Sequence, residues 1–402
     1  MKQELRVLVT DAEERSVLAA CRGLAAAGYS VSSVAEERFA PGHWSRFSKE
    51  RIMLPGPLLD SEDYVRRLSR VLRDGNFDVV MPGTEPSLLP ISAHRELIEP
   101  HARLGLPPHE VVLGALDKSL LQRHADAVGL GPPRSVVCSS AEEALAAATD
   151  FAYPLVVKPT HSISLSDGRI CKRRAQVVGD ATHLEAAVKA VGLPLMVQAY
   201  VSAPTIVSCA GVRADGRLLG FTVARYARTY PPHVGSAALA KTVAPSPALV
   251  LQVEELVELI GWSGIFELEL LDLGAGRFGA IDFNPRPFGW MALPVGAGAN
   301  LPALWCDHVL GRRSVSENGA RVGISYRWED GDMANALAEL RHLRLRSAAS
   351  VLRPHRHVVH AHFRIDDPSP LVARMFSIAK KVQRERTSAP VERVPQRAAA
   401  VP

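Results

Sequence analysis

Acidic residues, an amide and an arginine at strand spacing form the part of this chain best equipped for chemistry. They lie in Gly264-Ile-Phe-Glu-Leu-Glu-Leu-Leu-Asp-Leu-Gly-Ala-Gly-Arg-Phe-Gly-Ala-Ile-Asp-Phe-Asn-Pro-Arg286. Glu267 and Glu269 alternate with Phe266, Leu268 and Leu270, and beyond a Gly-rich turn Asp282 and Asn284 alternate with Ile281 and Phe283. Period-2 alternation puts each polar pair on one sheet face. If Glu269 faces Asp282, Glu267 falls opposite Asn284, so one face carries three carboxylates and an amide and the other is apolar. Like charges opposite one another destabilise a hairpin. A cation between them removes that penalty, and hard oxygen ligands suit Mg²⁺ held together with substrate phosphates. A hairpin with one solvated face is the plainer reading. The Asn-Pro-Arg ending favours the chemical one. Pro285 ends the strand, which leaves Arg286 beside the carboxylates, where a guanidinium can grip a carboxylate or phosphate bidentately.

Two lysines upstream supply matching positive charge. Lys118 follows Asp117 at the start of a helix that ends near Gly129. A cation at a helix N-terminus is mildly unfavourable, which hints at an anionic partner. Lys158 ends the apolar strand Pro154-Leu-Val-Val-Lys-Pro159, ahead of a hydroxyl-rich loop over residues 160–168. A lysine placed between an apolar strand and a small-residue loop suits phosphate.

Strands over 6–10, 30–34 and 78–81 alternate with helices after Thr10 and over 61–73, the pattern of a parallel α/β sheet. The first strand-to-helix turn lacks GxGxxG, so no dinucleotide fingerprint is present. Glu85 follows a strand end, where ligands gather in such sheets, although an acid opening a helix also complements its dipole. Strands over 205–212 and 218–224 flank Asp215-Gly216, a hairpin turn. The following Arg225-Tyr-Ala-Arg228, with His233, reads as a basic loop able to close over anions; Lys241 lies beyond it. An acidic helix over 249–260 leads into the opening hairpin, and helices over 302–310, 332–343 and 371–382 follow. Trp328-Glu-Asp-Gly-Asp332 reads as an acidic helix cap.

The totals set the class. The 402 residues, 47% hydrophobic and 22% charged, allow two or three domains of a globular protein, with no apolar run of spanning length. Five scattered cysteines without CxxC suit a reducing cytosol rather than a zinc or disulfide framework, and the beginning leads into a strand rather than a signal peptide. Of the net charge of +5, residues 341–386 contribute +8, with eleven Lys/Arg against three Asp/Glu. No aromatic interleaving accompanies that run, so a solvated basic surface is expected and no nucleic-acid role. There is no internal repeat, and the Pro/Ala/Arg-rich 386–402 reads as a disordered tail.

In this order, Lys118, Val-Val-Lys-Pro, Gln198-Ala-Tyr-Val and Asp-Phe-Asn-Pro-Arg, after a Rossmann-like lead, resemble the ATP-grasp superfamily over roughly residues 5–310. The remainder is similar to a group of ATP-dependent carboligases. The resemblance implies a mixed α/β architecture: a Rossmann-like domain over 1–105 and an ATP-grasp domain over 106–310 with an α+β lid at about 135–201. A helical, basic extension over 311–385 and the tail complete it. It implies that Lys118 and Lys158 bind ATP phosphates, that Gln198, Tyr200 and Val201 surround adenine, and that Thr205 stands where a ribose-binding acid is usual. Counted from Gly264 as in the family, the resemblance implies Glu269 rather than Glu267 as a ligand of Mg²⁺ (or Mn²⁺), with Asp282, here in place of the usual Glu, and Asn284. Arg286 and Lys158 are the implied catalytic residues, and Glu85, Arg225, Arg228 and Lys241 are substrate candidates. The implied activity is ADP-forming ligation of a small carboxylate to an amine or thiol, in the cytoplasm, with room for a homodimer. An ATP-binding regulatory protein without turnover and a kinase-type phosphotransferase are the alternatives.

Overall fold

The computed structural model describes residues 4–166, 169–201, 205–231, 235–313, 319–341 and 343–387. Strands β1 (Arg6–Val9), β2 (Ser30–Ala35), β3 (Ser48–Met53) and β4 (Val79–Met81) form a wholly parallel sheet in the order β3-β2-β1-β4. β1 and β4 are largely apolar, β2 alternates its apolar residues with serines, and the three are buried on both faces because helices Arg15–Ala26 and Ser61–Gly75 flank the sheet. Asp11, in the left-handed region at φ 63°, accepts hydrogen bonds from Thr84 Oγ1 (2.9 Å), Ser87 Oγ (2.7 Å) and the Gly83 amide (3.2 Å). This one side chain ties the C-terminal ends of β1 and β4 together, fixing the turns that present Arg15 and Glu85.

Strands β5 (Ser135–Cys138), β6 (Leu155–Pro159), β9 (Gln176–Val178) and β10 (Leu195–Ala199) form an antiparallel sheet ordered β5-β10-β6-β9. Between β6 and β9, β7 (Ile163–Ser166) pairs with β8 (Arg169–Lys172) as a separate hairpin. The loop expected after Lys158 is therefore strand over 163–166, its alternation hidden by small polar residues; residues 167–168 lie outside the described chain. Leu155, Val157, Leu195 and Val197 pack on helices Ala141–Ala148 and Leu184–Val191. Alternation then sends Val156, Lys158, Met196 and Gln198 to the other face, where Met196 opposes Lys158 and Gln198 opposes Val156.

The largest sheet has seven strands, ordered β15-β14-β11-β12-β13-β16-β17. They are β11 (Thr205–Ala214), β12 (Arg217–Tyr230), β13 (Ser236–Val243), β14 (Gly264–Asp272), β15 (Phe278–Asn284), β16 (Ser325–Arg327) and β17 (Val358–His360). The basic stretch 225–228, expected as a loop, is the second half of β12. Pairing with β13 through two register shifts extends that strand past the polar residues that suggested a turn. Thr229 and Tyr230 continue it, and His233 lies outside the described residues. Two short strands of the C-terminal segment complete the sheet among its helices, Glu329–Arg341 and Ser369–Thr387. The latter is longer than its apolar spacing suggested, and residues 388–402 of the expected tail lie outside the described chain.

A buried ion pair fastens that segment to the first sheet. Arg22 Nε donates to Asp367 Oδ2 at 2.9 Å, with side chains 6% and 1% exposed. Ser45 Oγ (2.7 Å) and the Arg46 amide (2.9 Å) also donate to this carboxylate.

Candidate active site

β14 and β15 pair with Glu269 opposite Asp282 and Glu267 opposite Asn284, the register that alternation predicts. A bulge at Ile281 follows, since Leu270 already opposes Ala280. Phe266, Leu268 and Phe283 on the far face enter the core beneath the helices.

The four polar residues meet different environments. Glu267 is buried and accepts from Ser208 Oγ (3.0 Å), Tyr226 OH (3.0 Å), Asn284 Nδ2 (3.1 Å) and Trp290 Nε1. It is thus consumed as a structural acceptor that aims Asn284. Tyr226 OH also lies 3.2 Å from Glu269 Oε1. Burial and then the Glu267 and Asp282 charges hold the Glu269 carboxyl well above its ordinary range. Asp282 receives the Lys118 ammonium, which burial disfavours but this carboxylate pulls above its usual range.

Lys158 is buried at the end of β6. Burial, and then the neighbouring Lys118 ammonium, push it down to about 8. Two crowded ammonium groups facing carboxylates suit a polyanion carried with a divalent cation. Gln198 shares the Lys158 face of the sheet and donates to the Pro133 carbonyl at 3.3 Å. Tyr200 and Val201 follow it, half-buried, and Thr205 opens β11 opposite Asp272.

Arg286 is largely committed. Its Nε and Nη2 donate to Glu85 Oε1 at 3.2 and 2.8 Å, Nη2 also donates to Asn284 Oδ1 at 2.9 Å, and Nη1 to the Pro287 carbonyl at 2.9 Å. Glu85, a weak candidate by sequence, is therefore brought to the site through its arginine. A cavity of about 350 Å³ joins these residues to the ends of β1 and β4, its wall including Arg15, Glu85, Lys172, Glu269, Asp282 and Arg286.

Three sequence candidates lie elsewhere. Arg225 precedes Tyr226 in β12, so it projects from the sheet face opposite the carboxylates, where it pairs with Asp272 at 2.9 Å. Lys241 opposes Arg225 in β13 and shares that face. Arg228 forms an ion pair with Asp332 at 3.0 Å, and Arg327 pairs with the same carboxylate at 3.0 Å. The acids expected to cap a helix at 329–332 thus serve tertiary pairs: Glu329 also lies 3.4 Å from both His360 and His362, and Asp330 accepts from Arg374 at 2.6 Å.

Sequence reading missed Ser208, Tyr226, Trp290, Arg15 and Lys172. Continuing the alternation through 226 identifies the tyrosine. Arg15 occupies the first turn after a parallel strand, the place where ligands concentrate. Lys172 carries no strong local signal.

With its parallel sheet, its smaller antiparallel sheet and the larger, mostly antiparallel sheet that bears the acidic hairpin, the chain is similar in fold to solved structures. The biotin carboxylase domain of Hydrogenobacter thermophilus 2-oxoglutarate carboxylase, in complex with MgADP, ADP and bicarbonate, matches with TM-score 0.61 and 15% identity, over 81% of this chain and 74% of that one. The chain has the ATP-grasp fold. N5-carboxyaminoimidazole synthetase of Staphylococcus aureus, complexed with ADP, matches with TM-score 0.61 and 13% identity, over 81% of this chain and 82% of that one. Biotin carboxylase of Campylobacter jejuni, as a β,γ-ATP complex, gives 0.62 and 16%, over 80% and 74%. Neither a protein-family model nor a curated protein matches the sequence. At these identities the likeness is one of fold.

The donor set fits a hard divalent cation. Among the described residues no three His, Cys, Asp or Glu side chains converge as a metal cluster. The available set is two carboxylates and the Asn284 amide oxygen, which leaves the remaining ligands to water and phosphate, as Mg²⁺ prefers. The mutual repulsion of Glu269, Glu267 and Asp282 is the strain such an ion relieves. No helix among the described residues is long and apolar enough to cross a membrane.

Proposed function

We propose that this chain is an ATP- and Mg²⁺-dependent ligase that activates a small-molecule carboxylate and joins it to an amine or thiol. The observation that carries this is the meeting of Glu269, Asp282 and Asn284 with Lys118 and Lys158 beside the cavity holding Arg286. Lys118 and Lys158 hold the nucleotide phosphates. Gln198, Tyr200 and Val201 surround adenine, and Thr205 lies toward the ribose. Mg²⁺ or Mn²⁺ on Glu269, Asp282 and Asn284 supplies neutralisation of the β- and γ-phosphate charge.

A carboxylate is a poor electrophile, so its oxygen first attacks the γ-phosphorus. The bond from phosphorus to the β,γ-bridging oxygen breaks, ADP leaves and an acylphosphate remains. An amine or thiol then attacks the acyl carbon, expels inorganic phosphate and loses its proton. The protein's work is to hold two anions in line and balance charge. Lys158 and Arg286 meet the transferring phosphoryl group, and Glu85 and Asn284 hold Arg286 in its plane. Five free cysteines, of which only Cys171 is exposed, suit a cytosolic setting.

The test is ADP release by the purified protein with a panel of small acids and amines. Acid- and amine-dependent ADP with an amide product supports the proposal. Tight Mg-ATP binding without any ADP overturns it in favour of a regulatory protein, and a stable phosphorylated product without amide overturns it in favour of a phosphotransferase.

A further inference from the structure

The charged groups of the cavity divide into those already committed and those left over. Arg286 and Glu85 satisfy each other, Asp282 holds Lys118, and Glu267 has four donors. Lys172 arrives on the β7–β8 hairpin of the lid. At the end of the cavity formed by the first sheet there remain Arg15 and Glu14, neither in an ion pair among the described residues.

Arg15 is held as a binding group rather than left loose. Its Nε donates to the Gly289 carbonyl at 2.8 Å, and the guanidinium carbon lies 3.9 Å above the ring of Trp328. Gly289 admits it at close range, since a Cβ there would come within 2.5 Å of Nη2. Tyr326 OH donates to the same carbonyl at 2.8 Å. Trp328 is itself seated against Gly331, where a Cβ would stand 2.4 Å from its ring. Stacking and the Nε bond fix the plane of the fork, which lowers the entropy lost when it meets a planar carboxylate. Glu14 precedes it at the end of the same turn, exposed to the cavity.

We infer, on the ligase reading above, that the activated acid is an α-amino acid. Arg15 binds its carboxylate, Glu14 faces its ammonium, and Trp328 of the C-terminal segment positions Arg15. Arg286 is then left to the phosphoryl group. The C-terminal segment is thereby part of the substrate site, although it lies outside the hairpin and lid.

The test measures thermal stabilisation of the full chain with Mg²⁺ and a non-hydrolysable ATP analogue. Three pools are added separately: the common L-α-amino acids, their primary amides, and the matching 2-hydroxy acids. The expected result is stabilisation by the amino acids alone. Arg15→Ala should weaken it by about tenfold or more in concentration while the nucleotide analogue still binds. Trp328→Leu, which keeps Arg15 but removes its platform, should give a smaller loss, and Arg15→Lys should not restore the wild-type response. Equal stabilisation by amides or hydroxy acids, no response of the wild type, or an unaltered Arg15→Ala response each overturn the inference. If the nucleotide analogue itself fails to bind the wild type, the ligase reading fails instead.

Discussion

The Lys118 ammonium rests on the Asp282 carboxylate, two side chains 164 residues apart in sequence. Neither group is freely solvated, with side chains 13% and 32% exposed, so each answers the charge of the other. The lysine therefore occupies the carboxylate that the proposed metal needs. On the proposed function, the ammonium and the metal compete for this one acid, and the nucleotide phosphates would draw the ammonium away.

It follows that Lys118→Ala separates two affinities. Free Mg²⁺ or Mn²⁺ should bind the variant about 3- to 10-fold more tightly, because the competing charge is gone. Mg-ATP should bind it about 10-fold or more weakly, because a phosphate contact is lost. Calorimetric titration with each ligand reads both. A variant that weakens both equally shows Lys118 to be a structural support only.

Lys158 predicts a pH dependence. Its ammonium is pushed down to about 8 by burial and Lys118. Below that pH the group is charged and attracts phosphate. As pH rises through 8 it loses its proton, and nucleotide binding must then recover one from solvent. ATP affinity should accordingly decline above about pH 8, by up to about tenfold per pH unit, with proton uptake on binding. In Lys158→Arg the decline should vanish over the same range. Titration in buffers of different ionisation enthalpy measures the proton directly.

Glu269 sets function against stability. Its carboxyl is held above the ordinary range by burial and two neighbouring carboxylates. A raised carboxyl contributes stability that is full below the unfolded pKa and lost as pH rises through the folded one. Glu269→Gln should therefore melt at a higher temperature than wild type at pH 8, with the gap closing toward pH 4. ADP formation should fall by about 100-fold or more, as expected when charge stabilisation of the transferring group is removed. Melting curves at the two pH values, beside turnover, decide it.

How far the sequence carries this is visible in the hairpin. The pairing of Glu269 with Asp282 follows from alternation, because an apolar face must be buried and a one-residue slip would expose Leu268 and Phe283. Lys118, Lys158 and Gln198 were legible because each sits at a strand or helix end or follows a clear period. Arg225 and Lys241 take the face opposite the carboxylates and Arg228 pairs with Asp332, since composition marks a basic stretch but only sheet pairing says which face a residue takes. Arg15, Lys172 and Trp328 come from three segments brought together by tertiary packing, which no local period encodes.

The Arg22–Asp367 pair predicts the worth of the C-terminal clasp. Asp367→Ala leaves a buried guanidinium with only carbonyl partners, and should cost about 3–5 kcal/mol in denaturant unfolding. Arg22→Leu with Asp367→Leu removes both charges and should cost less than the single change. If the single substitution is neutral, the segment is not fastened through this pair.

Glu85 and Arg286 test whether a positioning contact matters as much as the group it positions. Arg286 donates twice to Glu85 Oε1, so Glu85→Gln keeps shape and one acceptor but removes the charge that orients the guanidinium. If Glu85 acts only through Arg286, Glu85→Gln should lower kcat about 10- to 100-fold with little change in the ATP KM. In an Arg286→Ala background the same change should then have almost no further effect, since the group it aims is absent. Full additivity of the two losses in a double-mutant cycle means that Glu85 meets the substrate independently. That result transfers it from the support of Arg286 to the wall of the acid-binding cavity.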